Sequence, residues 1–464
     1  MNRIDKIQLS EEVLREKEAQ YCSHGDTAHY SPTPKFFQGC EGSFLFDRED
    51  KPYLDLQMWY STVNFGYRNQ RIVGAVIAQL EQLPQLACQY LHEEKVLAAE
   101  RLAIECHRAF GIKGRVHFNV GGAQAIEDSI KIVRSATGKC LFMAFMGGYH
   151  GRTLGASEIT SSYRYRRRFG HFSNRAHFVP FPYCYRCPYD MKLESCDYYC
   201  VKQFERLFET EYNSFWDSKA EEPEFVAFYA EPVQATGGYI PPPPEYFLRL
   251  RKILDERKIL LVDDEVQMGF FRTGRFWGIE HFGVKPNIVV FGKTLTNGLN
   301  PLSGLWAEEA LISPQAFPPG STHSTYSSNP LGTAAALATL QWIEQQEYAR
   351  TVAESGAYFL EQLEGLKKRH AVIGDVAGLG LALRIEVTQA DRFTPNRSLA
   401  NRIFELGLAG GIPTSRGPMG LVLNVTGYYK NVFGLAPCLD ITKGEIDLAI
   451  ELLDWLFTHC TEEP

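Results

Sequence analysis

Ile259-Leu260-Leu261-Val262-Asp263-Asp264 and Ile288-Val289-Val290-Phe291-Gly292-Lys293, whose end residues stand 29 apart, decide how this chain folds. Each opens on apolar residues with no polar alternation, so each reads as a strand covered on both faces, the kind found in parallel sheets. Each ends on an ionisable group. Outward from them, the apolar runs Val116-His117-Phe118-Asn119-Val120, Cys140-Leu141-Phe142-Met143-Ala144-Phe145 and Phe225-Val226-Ala227-Phe228-Tyr229-Ala230 alternate with helical patterns over residues 123–135 and 244–257. That rhythm predicts an α/β, doubly wound, mostly parallel sheet. Such sheets bind ligands beyond the carboxyl ends of their strands.

The rhythm holds from about residue 66 to 330, which we take as a large domain. Residues 1–65 combine a charged amphipathic start with short strand-like pieces (Ser43 to Phe46, Tyr53 to Leu56), an N-terminal arm and part of a small sheet. Residues 331–464 begin with a long helical pattern running to about Leu366, then show short strands near Gly380 to Ile385 and a final amphipathic helix over 443–457, a small α+β domain.

With 464 residues and 45% hydrophobic content the chain can bury a large core. A net charge of -7 and a pI near 6.0 argue against nucleic acid as a partner, because phosphate backbones demand a basic face. The short run Arg164, Arg166, Arg167, Arg168 reads as a solvated loop or a phosphate-facing edge. The start carries mixed charge (Arg3, Asp5, Lys6, Glu11, Glu12, Arg15), and no long uncharged apolar stretch occurs, so neither a signal peptide nor a membrane span is expected. Most of the eleven cysteines stand alone in apolar segments (Cys88, Cys106, Cys140, Cys438), which suits a reducing compartment, the cytoplasm.

An acid and an amine at the ends of neighbouring buried strands are the groups that pyridoxal phosphate chemistry requires: a carboxylate for the pyridine nitrogen and an amine for the aldehyde. Asp264 is that acid, unless it or Asp263 merely caps the next helix. Lys293 is that amine, unless it snorkels to the surface; burial would depress its pKa and supply the neutral form. Gly121-Gly122-Ala123 ends one strand and opens the next helix, either as a simple tight turn or as a phosphate site built from free N–H groups and the helix dipole.

In order, Gly121-Gly122-Ala123, Gly148-Tyr149-His150-Gly151-Arg152-Thr153, Glu231-Pro232-Val233-Gln234, Asp264-Glu265-Val266-Gln267-Met268-Gly269, Lys293 and Thr325-Tyr326-Ser327-Ser328-Asn329-Pro330 resemble the class III aminotransferases of the fold type I pyridoxal phosphate enzymes, over about residues 30–455. The resemblance implies a mostly parallel, seven-stranded type of sheet and a homodimer with shared active sites. It implies an enzyme that moves an amino group from an amine or amino acid to a keto acid through a Schiff base on Lys293. Asp264 would pair with the pyridinium, Val266 and Tyr149 would cover the two ring faces, and Gln267 would neighbour the ring hydroxyl. Gly122 and Ala123 would hold the phosphate, Thr325 would reach the phosphate in the partner subunit, and His150 would support Tyr149 and the cofactor's surroundings or else be a purely structural histidine. Glu231 would pair with an arginine that relatives use for the substrate carboxylate.

That arginine is missing. Gly434 stands where it is expected, in Asn431-Val432-Phe433-Gly434-Leu435, so Arg416 or Arg152 would bind the acid, or the donor is unusual and Glu231 is free to meet a cationic or hydroxylated group. The phosphate turn has Gly121 and Gln124 where relatives carry a hydroxyl residue and a glutamate. Trp59, Tyr60 and Phe65 are either core residues or a border of the substrate pocket. Cys184, Cys187, Cys196 and Cys200 form a C-x2-C-x8-C-x3-C array that reads as free thiols, with structural zinc as the alternative; no metal is assigned. The same groups also suit a racemase, aminomutase, decarboxylase or lyase, and a binding protein that has kept the fold without activity is the reading outside catalysis.

Overall fold

Leu260–Asp264 and Ile288–Phe291 lie side by side as parallel strands, Val262 opposite Ile288 and Asp264 opposite Val290. In this computed structural model, which describes residues 9–25, 29–170, 172, 176–209, 212 and 215–462, they form the middle of a seven-stranded sheet. Its order from edge to edge is Gly114–Asn119, Ser303–Glu308, Ile288–Phe291, Leu260–Asp264, Phe225–Ala230, Leu141–Phe145 and Ala176–Val179. Ser303–Glu308 pairs antiparallel with both neighbours, and the other pairings are parallel.

Why these runs read as continuous apolar strands is visible in how they divide their side chains. Leu261, Val289, Phe291, Phe228 and Met143 join one apolar layer, whereas Val262, Ile288, Val290, Tyr229 and Ala144 join a second on the opposite face. Helices cover both: Ala98, Leu102 and Cys106 of Glu93–Phe110 pack in the first layer, and Ile126, Ile130 and Val133 of Gly122–Thr137 in the second. Each buried aliphatic side chain contributes about 1.5–3 kcal/mol relative to exposure, so alternation with polar residues has no place in these strands.

Besides a short pair, Trp216–Asp217 with Glu222–Pro223, the described residues form two four-stranded sheets. Phe37–Glu41, Phe44–Asp47 and Pro52–Asp55 form an antiparallel meander that is completed by Gly420–Val422, running parallel to Pro52–Asp55. Ile373–Leu379, Ala382–Val387, Val432–Leu435 and Asn424–Thr426 form the other, all antiparallel. The first described element is the helix Glu11–Tyr21; the charged residues Arg3, Asp5 and Lys6 lie outside the described residues.

The long helical pattern after Pro330 is broken in the structure into Pro330–Glu344 and Tyr348–Arg369. The break buries Tyr348, whose hydroxyl accepts from Trp342 Nε1 at 2.9 Å and donates to Asp440 at 2.8 Å. A single straight helix would carry that ring away from both. The last helix, Lys443–Glu462, runs longer than the pattern suggested.

Candidate active site

Beyond the carboxyl ends of the central strands lies a cavity of about 620 Å³, and its lining contains every sequence-predicted cofactor residue except Thr325. Asp264 forms its floor, about one-twentieth exposed. One carboxylate oxygen accepts from Val266 N at 3.1 Å, and the other lies 2.7 Å from His150 Nδ1. Asp264 is therefore a local turn cap on one oxygen and a partner of His150 on the other. Asp263, one residue earlier, faces away, is fully buried, and caps nothing among the described residues.

His150 reaches Asp264 from a neighbouring loop, its own N–H held by Thr160 Oγ1 at 2.9 Å. Burial pulls the imidazole pKa down, but the hydrogen bond and charge of Asp264, with the more distant Glu231, leave it raised above 6.5. A carboxylate only accepts, so Nδ1 carries the shared proton. His150 Nε2 is buried without a partner among the described residues.

Lys293 follows Gly292 directly off the strand and sits at φ 42°, in the left-handed region. For a residue with a Cβ that conformation costs about 1–3 kcal/mol and must be held by its surroundings. Here Leu295 N donates to Gly292 O at 3.0 Å, and Thr294 Oγ1 donates to Ser61 O at 2.8 Å. Burial pushes the ammonium below the usual 10.5, against the opposing pull of Asp264 and Glu231. Desolvation thus favours the neutral amine that a Schiff base needs.

The helix Gly122–Thr137 points its N-terminus into the same cavity, with Gly121 as its cap residue and no side chain capping it. Its first N–H groups have no intrahelical acceptor, and the dipole adds positive potential there. Gly122 sits close under Val266: a Cβ would lie 3.2 Å from Val266 Cγ1, a tight approach that the valine side chain would have to yield to. Gly151 is required twice over, by φ 126° and by Ala123, whose Cβ would be 2.5 Å from a new one. The loop carrying Tyr149 is in this way pressed onto the helix start.

Glu231 fastens that loop. Its oxygens accept from Tyr149 N and Ala235 N, each at 3.0 Å, and burial raises its pKa to about 7 against the charge of His150. Both oxygens accept from backbone N–H groups, so Glu231 clasps this loop while also lining the cavity. Gln267 Nε2 donates to Tyr239 Oη at 2.5 Å, while the main-chain carbonyl of Gln267 accepts from Ser61 Oγ at 3.2 Å.

A second cavity, of about 330 Å³, shares Tyr149, Arg152, Gln267 and Lys293 with the first and extends outward past Tyr60, Tyr165, Tyr239 and Lys430. Of the three aromatics in question, Tyr60 alone reaches it; Trp59 is 55% exposed, and Phe65 is a core residue against Tyr348. Arg416 lines neither cavity and lies beside Gly444. Arg152 lines both, with its guanidinium 4.2 Å from the Tyr165 ring centroid. At Gly434 the space is taken: a Cβ there would sit 2.5 Å from Tyr239 Cδ2. Tyr239 fills the volume that an arginine at 434 would need.

Thr325 is exposed and lines a separate surface cavity of about 760 Å³ with Pro84, Leu86, Pro301 and Tyr326. The four cysteines surround one small pocket of about 20 Å³ and are all free. Among the described residues no three metal-ligating side chains are set to hold an ion.

Three residues escaped the sequence reading. Tyr239 and Lys430 carry no local signal. Arg272 does, as a cation directly after Phe270-Phe271, and the structure buries it fully: it donates to Ser61 Oγ at 3.0 Å, Pro437 O at 2.7 Å and Leu381 O at 3.2 Å, and to Asn64 Oδ1. Desolvation lowers its pKa to about 10. It braces residues 58–61, a turn in which Met58, Trp59, Tyr60 and Ser61 all have positive φ, and thereby the Ser61 carbonyl that steadies Thr294 beside Lys293.

A family model described as aminotransferase class-III matches residues 27–456. A leucine/methionine racemase of Thermococcus litoralis is 33% identical over 88% of this chain and 87% of its own. The 4-aminobutyrate aminotransferase of Escherichia coli is 30% identical over 92% and 95%. Among solved structures, an amine transaminase from an uncultivated Pseudomonas species in a PLP-bound form superposes with a TM-score of 0.84 at 28% identity, covering 95% of this chain and 99% of that one.

Proposed function

The chain belongs to the class III aminotransferases, and from that premise we propose that it moves an amino group between an amine or amino acid and a keto acid with pyridoxal phosphate, held on Lys293. The observation that carries the reading is a single cavity holding Asp264 with its bonded His150, the pKa-depressed Lys293 and the uncapped helix at Gly122. Those groups fit the cofactor's nitrogen, aldehyde and phosphate in turn. When bound, pyridoxal phosphate supplies an electron-accepting ring that lets a substrate C–H bond ionise.

The roles follow from the chemistry of each side chain. Asp264 keeps the ring nitrogen protonated, and His150 keeps Asp264 in place. Tyr149 and Val266 would cover the ring faces, Gln267 would stand by its hydroxyl, and the N–H groups of Gly122 and Ala123 would receive the phosphate. Lys293, once displaced by a donor amine, is the base that moves the proton. Glu231 holds the Tyr149 loop against the strand ends.

A second reading, racemisation, is favoured by the racemase relative and by Tyr239 in place of a carboxylate arginine. One experiment separates the two. Holoenzyme mixed with single amino acids or amines and no keto acid is expected to convert its cofactor lastingly to the amine form, with one carbonyl product per site. A spectrum that returns to its starting state while the amino acid loses optical purity would instead establish the racemase.

We also read the enzyme as a cytoplasmic homodimer with borders near residues 65 and 330. The seven strands of the large sheet all fall between those borders, and eleven cysteines with no disulfide between them suit a reducing compartment. No described helix is long and apolar enough to cross a membrane. Thr325, exposed and absent from the lining of its own chain's cavity, is suited to a partner's phosphate site, and Leu91, 78% exposed, lies in a stretch that needs a cover. Light scattering is expected to give twice 52.6 kDa; a monomer with full activity would exclude shared sites.

A further inference from the structure

The basic residues of the outer cavity are not matched by acids in its own lining, although Asp264 and Glu231 act on Lys293 from the adjoining cavity. Arg152, Lys293 and Lys430 line the outer cavity, and no aspartate or glutamate does among the described residues. Lys293 belongs to the reaction. Arg152 is engaged with aromatic rings, 4.2 Å from the Tyr165 centroid and 6.0 Å from that of Tyr149. Lys430 differs from both: its ammonium forms no ion pair or hydrogen bond among the described residues, and the side chain is only partly exposed. Burial, then the charges of Arg164 and Arg397, push its pKa below 10.5, and no acid opposes them.

Lys430 is also aimed from a rigid base. It sits at φ 57°, its N–H donating to Gly427 O at 3.1 Å, in the tight connection between Asn424–Thr426 and Val432–Leu435. That connection is tied to the large sheet's loops at three points. Gly427 N donates to Thr236 O at 3.2 Å, Thr426 Oγ1 to Thr236 O at 2.7 Å, and Tyr428 Oη stands 2.9 Å from both Met146 O and Gln234 Oε1. A half-buried ammonium without a partner is unfavourable unless an anion joins it. A backbone held this firmly keeps the charge facing the cavity.

We propose that Lys430 is the specificity-determining residue that receives a carboxylate of the amino acid or keto acid substrate, the task that Gly434 cannot perform behind the Tyr239 ring. The proposal rests on the function proposed above. A lysine suits the position because its ammonium is a point charge on a flexible stem, tolerant of carboxylates at differing distances, whereas a bidentate arginine fixes one geometry.

The test uses the holoenzyme and glutarate, an unreactive dicarboxylate, with affinity read by calorimetry and by perturbation of the cofactor absorbance. Lys430→Met is expected to weaken glutarate by about tenfold or more, the scale of a lost charge-assisted contact, and Lys430→Arg to stay within about threefold of wild type. For the keto acid that wild type accepts, the Met variant's loss is expected in KM rather than kcat. Equal glutarate affinity in wild type and Lys430→Met, or no binding by wild type, overturns the proposal. A protein that takes up no pyridoxal phosphate would defeat the functional reading instead, and is scored separately by the cofactor spectrum.

Discussion

Lys293→Ala is expected to lower kcat by at least about 10⁴-fold and to abolish the long-wavelength absorbance of the bound cofactor, because covalent attachment and proton transfer both leave with one amine. The side chain forms no ion pair or hydrogen bond in the described structure and faces the cavity, so its removal leaves the packing of the strand Ile288–Phe291 in place. Alanine meets the same φ of 42° that lysine tolerates, and the melting temperature is expected to stay within a few degrees. Lys293→Arg serves as the companion variant. It retains the positive charge near Asp264 and Glu231, whose fields raise the pKa of Lys293, yet a guanidinium does not give up its proton near neutral pH. If the function of Lys293 were electrostatic, arginine would restore much of the rate; we expect it to remain as inactive as alanine. A small primary amine added to the alanine variant is expected to recover part of the proton-transfer step. Turnover of either variant within about tenfold of wild type would remove Lys293 from the reaction.

What the sequence could and could not reveal follows from where each constraint arises. Strands buried on both faces have no freedom to include polar residues, so Leu260–Asp264 and Ile288–Phe291 announce themselves. Asp264, Lys293 and Gly122 are legible because they sit where such strands end, and strand ends are where a sheet of this type places ligands. Relations between distant loops leave no local trace. The contact of His150 with Asp264 joins residues 114 apart, and Tyr239 filling the space at Gly434 depends on the loop after Phe225–Ala230 meeting a sheet from the C-terminal region. The left-handed turn at Met58 to Ser61 contains no glycine, so nothing in its composition signals positive φ; Asp55, accepting from Gln57 N at 2.7 Å and Met58 N at 2.9 Å, and Arg272 hold it from outside. The break between the two helices after Pro330 is likewise set by where Tyr348 finds Asp440.

Asp264→Asn tests the other half of the proposed catalytic pair. The carboxylate is tied to His150 Nδ1 at 2.7 Å and to Val266 N at 3.1 Å, and an amide can keep both contacts in shape while losing the charge. Its Nδ2 donates where a carboxylate only accepts, so His150 would have to turn Nδ1 into an acceptor and move its proton to Nε2, which is buried without a partner. Removing the negative charge also removes a pull that raises the pKa of both His150 and Lys293; both are expected to fall, leaving the imidazole neutral over a wider pH range. A neutral amide cannot hold the ring nitrogen protonated, and the electron-accepting power of the cofactor depends on that proton. We therefore expect the half-reaction with an amine donor to slow by about 10²–10⁴-fold, comparable to losing a preorganised electrostatic contact in a shielded site. Rapid mixing with a donor deuterated at the reacting carbon is the measurement: the isotope effect should grow as C–H cleavage comes to limit the whole sequence. Cofactor affinity should change much less, since Gly122, Ala123 and Lys293 are untouched. A half-reaction as fast as wild type, with an unchanged isotope effect, would mean that the charge on Asp264 does not serve the chemistry, and the assignment of the cavity floor would have to be given up.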